Sequence, residues 1–174
     1  DFYKDIYDDA QVKTEKEFAK VPLHFDSEQH YLDAFLPLFW EEAKAQVHRS
    51  KGSEMNRGTE TARHVAFKAE GEWIRLDLQR DKEEAATTFY MHSDLVILTQ
   101  GKDPSKEHPV HCLAMVDSSS GAKISVSAKL AREGSPRALE VAKVVSESGS
   151  WQLAKVTNLS TLLREYEALK ALPR

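Results

Sequence analysis

The densest group of reactive side chains is His108-Pro-Val-His111-Cys112. Two imidazoles and a thiol this close together are a ligand set of the kind structural zinc sites use. No second Cys/His pair stands at a spacing that completes four ligands, and a strand would send His111 and Cys112 to opposite faces. The pattern reads instead as a loop histidine followed by a strand with a buried cysteine, so no metal is expected. Cys112 lies in an apolar run, where a thiol is inert packing rather than a nucleophile. The carboxylate pairs Glu41-Glu42 and Glu83-Glu84 are adjacent in sequence, and neighbours on a helix do not face one another as acid–base partners must. No Gly-x-Ser-x-Gly elbow is present. The one Gly-Lys pair, Gly101-Lys102-Asp103, lacks the spacing and the following Ser/Thr of a phosphate loop. No catalytic residue and no cofactor is expected in this chain, and ATP hydrolysis by it alone is excluded.

What remains is binding, and charge says where to look. The chain has 174 residues, a net charge of −4 and one cysteine, which fits a reducing compartment. Apolar residues make up 41% and charged residues 30%, ordinary values for a globular protein. No apolar run is long enough to cross a bilayer as a helix, and no membrane partner is expected. Residues 1–60 carry 8 Lys/Arg against 13 Asp/Glu, a net of −5, and residues 61–174 carry 16 against 15. Within the second part, Lys123, Lys129, Arg132, Arg137 and Lys143 have only Glu133 and Glu140 as acidic neighbours. A nucleic-acid surface, if the chain has one, is expected there, although a run of charge is more often a solvated face. The aromatic residues Trp73, Phe89, Tyr90 and Trp151 could stack on bases, but each stands where a strand wants a core aromatic, and core is the expectation for all four.

The elements that must position these groups follow from periodicity. Phe2 to Tyr7 has helical spacing. Val21-Pro22 is extended, then Asp26 or Ser27 caps a helix, with Gln29 in capping-box position to Asp26. Leu32, Phe35, Phe39, Ala43 and Val47 form its apolar stripe. Pro37 interrupts it, so a kink or two abutting helices are expected. Residues 49–62 are polar with two glycines and read as a mobile loop. The period then changes to two. Trp73–Leu78 and Asp94–Leu98 read as strands, and Val110–Val116 and Ile124–Leu130 as a hairpin about the turn Asp117–Gly121. Leu139–Val145 and Trp151–Val156 read as a second hairpin. A last helix starts near Asn158 or Ser160, with Leu159, Leu162, Leu163, Tyr166, Leu169 and Leu172 as its stripe. The expected fold is α+β, a small antiparallel β-barrel of about six strands flanked by N- and C-terminal stalk helices. The divisions are 1–48 for the first stalk half, 49–62 for the loop, 63–157 for the barrel and 158–174 for the last helix.

Two segments carry a family resemblance. Val21, Pro22, Phe25, Ser27, Tyr31, Phe35, Pro37, Leu38, Glu41, Glu42, Ala45 and Gln46 match a signature of senataxin-type helicases, in the superfamily 1 group that also holds the nonsense-mediated-decay helicase. Arg164, Glu165, Tyr166, Ala168 and Leu169 match that family's run before its motor domains. Asp94–Leu98 and Cys112–Val116 look like its barrel strands, and Phe2–Ile6 resembles its preceding short helix. A Trp common in the family is Tyr7 or Asp8 here. The resemblance implies a stalk and barrel placed just before the first RecA-like domain, over the nucleic-acid channel. It also implies an ATP-dependent parent enzyme using ATP and Mg, and a nuclear setting, with the cytoplasm as the other possibility. The chain starts at Asp1 rather than Met and stops before any motor motif, so it is expected to be a piece cut at a domain boundary. Expected partners are single-stranded RNA or DNA, held weakly and without sequence preference, and the downstream RecA-like domains. The other reading is a protein-interaction module that never touches nucleic acid, which the acidic first third favours.

Overall fold

The computed structural model describes residues 20–54, 59–70, 73–104, 106, 110–129 and 149–171. The expected helix at residues 2–7 and the expected strand at 139–145 lie outside them. The described elements are helix α1 (Glu28–Glu54), strands β1 (Glu60–Glu70) and β2 (Trp73–Arg80), a short helix α2 (Lys82–Thr87), strands β3 (Asp94–Thr99), β4 (His111–Ser120), β5 (Lys123–Lys129) and β6 (Ser150–Asn158), and helix α3 (Ser160–Lys170). The six strands close an antiparallel barrel in the order β1-β2-β5-β4-β3-β6. The architecture is thus a small barrel flanked by helices, as the alternation of period predicted.

Of the two N-cap candidates, Ser27 does the capping. Its Oγ accepts from the His30 N–H at 3.1 Å, and its carbonyl takes the first helical bond from Tyr31. Gln29 is not part of a capping box; its amide donates to Asp33 at 2.7 Å. The helix runs unbroken through Pro37 to Glu54, so there are not two abutting helices. It also occupies the first six residues of the expected loop, and β1 occupies the last three. Both were hidden for physical reasons. The last helical turns carry polar groups, among them Arg49, paired with Glu42 at 2.7 Å. In β1 the inward positions Ala62 and His64 are small or polar, and a bulge at Val65 breaks the period of two.

The interior is filled by the inward positions of the strands: Ile74, Leu76 and Leu78 from β2, Ile124 and Val126 from β5, and Trp151 from β6 belong to one buried cluster. One end holds a buried charge pair that sequence reading missed. Arg80 grips Glu60 in a fork, Nε to Oε2 at 2.6 Å and Nη2 to Oε1 at 3.0 Å. The same Nη2 donates to the Thr88 carbonyl, and the guanidinium lies 4.8 Å from the Tyr90 ring centroid. The β4–β5 turn is shorter than expected. Asp117–Ser120 continue β4 past a bulge, and only Gly121 and Ala122 lie between the paired Ser120 and Lys123. Gly121 has φ +56° and Ala122 an ordinary φ, the pattern of a type II′ hairpin turn.

A second cluster lies outside the barrel. Leu95 and Ile97 of β3, Leu113 of β4 and Ala154 and Val156 of β6 point outward and meet Val47 of α1. Further along the stalk, Tyr166 of α3 stacks on Phe39 at 5.7 Å and meets Trp40 at 5.6 Å. The two helices therefore pack on each other beside the barrel, as neither could fold in isolation.

The junction from β6 to α3 is built on Asp94, which has no exposure. Its Oδ2 accepts from the Met91 N–H and faces Lys155 Nζ, each at 2.8 Å, and its Oδ1 accepts from Asn158 Nδ2 at 2.7 Å. Asn158 Oδ1 in turn accepts the Ser160 N–H at 3.0 Å, satisfying a backbone donor of the first helical turn. Ser93, in the left-handed region at φ 67°, offers its carbonyl to the Leu159 N–H at 2.8 Å. Removing the carboxylate strands an ammonium and an amide at a buried junction. Asp94→Ala is expected to cost about 3–5 kcal/mol in urea unfolding, with part of the loss recovered when Lys155→Met is added. A loss below about 1 kcal/mol would show that the junction is held by packing alone.

Candidate nucleic-acid interface

Since α1 covers the outer side of β3 and β6, the open side of the barrel is β1–β2–β5. Strand β2 shows how it is made: Ile74, Leu76 and Leu78 are buried, while Trp73, Arg75 and Asp77 are exposed. Strand β5 does the same, with Ile124, Val126 and Ala128 buried. Register then sets the outward residues in rows about 7 Å apart along the strands. Arg63, Gln79 and Lys123 form one row; Ala66, Asp77 and Ser125 the next; Lys68, Arg75 and Ser127 the third; Trp73 and Lys129 the last, with Glu70 paired in register with Trp73.

Two of the five cations expected from sequence, Lys123 and Lys129, lie on this face at opposite ends of β5. Arg132, Arg137 and Lys143 lie outside the described residues. The structure adds Arg63, Lys68 and Arg75, which sequence proximity could not reveal because they come from other strands. The face is partly neutralised. Arg75 Nε stands 3.9 Å from Asp117 Oδ2, the same oxygen that accepts from Ser127 Oγ at 2.6 Å. Asp77 accepts from Ser125 Oγ. Lys129 Nζ sits 5.9 Å from the Trp73 ring centroid, within cation–π range.

The four aromatic candidates divide. Trp151 and Tyr90 belong to the barrel core, as expected. Trp73 is 46% exposed and Phe89 77%, which corrects the expectation of core placement for these two. The signal for Trp73 was present in the sequence. If Ile74, Leu76 and Leu78 face inward, the residue before them must face out. Cys112 is buried in the barrel interior, and His111 is buried as well; His108 lies outside the described residues. Among the described residues no group of three or more His, Cys, Asp or Glu side chains is placed to hold a metal ion, and no helix is long and apolar enough to cross a membrane. No protein-family model matches the chain, and no curated protein matches it.

The cations of this face are half in water, and exposed pairs contribute little to stability. Replacing Arg75, Lys123 and Lys129 together with Gln is expected to shift the unfolding free energy by less than about 1 kcal/mol. A larger loss in denaturant titration would mean that these side chains hold the barrel together and are not available to a ligand.

Proposed function

We propose that this barrel and its helices are the accessory stalk-and-barrel part of an ATP-dependent RNA/DNA helicase of the senataxin type. In this reading the part touches single-stranded RNA or DNA through backbone phosphates and modulates grip and unwinding, without reading sequence. The observation that carries it is the exit from the barrel. The chain leaves β6 at Asn158, enters α3 at Ser160, and lays Tyr166 against Phe39 and Trp40 of α1. Residues from the two segments that resemble the helicase family thus meet in one stalk beside a barrel. ATP and Mg would be bound by RecA-like domains following in the same protein, and the setting would be nuclear.

The test is titration with labelled single-stranded RNA and DNA at rising salt. A surface using three or four cations gives a slope of log affinity against log salt of about −2 to −3. Charge reversal at Lys123, Lys129 and Arg132 should flatten the slope and weaken binding; unchanged affinity in that variant would sink the phosphate-contact surface. The second reading, a protein-interaction module, is favoured by Phe89 and Met91, which expose 77% and 59% of their surface in the segment before β3. Absence of oligonucleotide binding at low salt would support it.

A further inference from the structure

We propose that Trp73 is a base-stacking site for an unpaired nucleotide, with Lys129, Arg75 and Lys68 placed to meet the phosphates on either side of that base. This rests on the nucleic-acid reading and adds to it a specific contact that phosphate binding does not require. Exposure of a single tryptophan says little by itself; the surroundings carry the argument.

Trp73 is held outward by the backbone alternation of β2, so the ring cannot turn into the core without inverting the strand. On β2 it pairs directly with Lys129 of β5, whose ammonium lies 5.9 Å from the ring centroid. The next row, about 7 Å along the strand, holds Lys68 and Arg75 side by side. Two rows further stand Arg63 and Lys123. The register thus gathers five cations on this face, with Asp77 among them, Asp117 beside Arg75 and Glu70 paired in register with Trp73, in a chain whose net charge is −4.

An exposed ring within one strand row of several cations matches a nucleotide in an open strand, which offers a flat π face and a phosphate a short distance apart. A duplex hides its base faces, so this site discriminates by strandedness rather than by sequence. An acidic peptide would use the cations and leave the ring idle. Because every base has a π face, no strong base preference is expected.

Anisotropy titrations of the whole chain with a short labelled single strand, and with an abasic strand of the same length, separate the two contributions. On the normal strand Trp73→Ala should weaken binding about 5- to 100-fold, and Trp73→Phe should retain most of the affinity. On the abasic strand both variants should match the wild type. Arg75→Gln and Lys129→Gln should weaken both strands alike. Equal affinity of Trp73→Ala and wild type for the normal strand, with salt dependence intact, overturns the stacking site and leaves phosphate binding standing. No binding by the wild type at low salt removes both. Should Trp73→Ala fail to fold, the wild type decides alone: equal affinity for normal and abasic strands overturns the proposal. Full displacement of the normal strand by an acidic peptide of equal charge also overturns it.

Discussion

A carboxylate with no exposure, Asp94 at the start of β3, is the point on which the arrangement of barrel and stalk depends. Its oxygens hold the turn before β3 through Met91, the neighbouring strand through Lys155, and the helix entrance through Asn158. A buried charge is tolerable only when paired and hydrogen-bonded, and here the partners come from the turn before β3 and from two positions of β6, the strand that runs into α3. The left-handed Ser93 belongs to the same construction, since that conformation aims its carbonyl at the Leu159 N–H. The direction in which α3 leaves the barrel is therefore set by short polar contacts, and the stacking of Tyr166 on Phe39 follows from it.

From that direction comes the division of the barrel's outer surface. With both helices on one side, β3 is buried on both faces, its inward residues in the barrel core and its outward ones beneath Val47. The strands β1, β2 and β5 keep one face in water, and on that face stand the cations and Trp73. The acidic first third of the chain contributes α1 to the covered side. A chain of net negative charge can in this way present five cations on one face, because strand register gathers Arg63, Lys68, Arg75, Lys123 and Lys129 there.

Much of this was legible in the sequence. The apolar run at 94–98 announced a strand, and the period of two in Trp73–Leu78 carried the signal that puts the tryptophan outside, against the expectation of core placement. The stripes from Leu32 to Val47 and from Leu159 to Leu169 marked the stalk. Strand β1 was not legible, because its first inward residues, Ala62 and His64, do not advertise burial and its bulge shifts the phase midway. Nor was the pairing of Glu60 with Arg80, two charged residues that look like surface until the barrel closes around them. The cationic face was half visible. Lys123 and Lys129 lie on one strand, but Arg63, Lys68 and Arg75 join them only through the register of three.

The central claim is that this stalk and barrel belong to a helicase whose motor follows α3. The most direct measurement is the transcript sequence beyond the codon for Arg174. The account predicts an open reading frame that reaches a glycine-rich phosphate loop ending in Lys and Ser/Thr within a few dozen codons. A stop codon directly after Arg174 would contradict it.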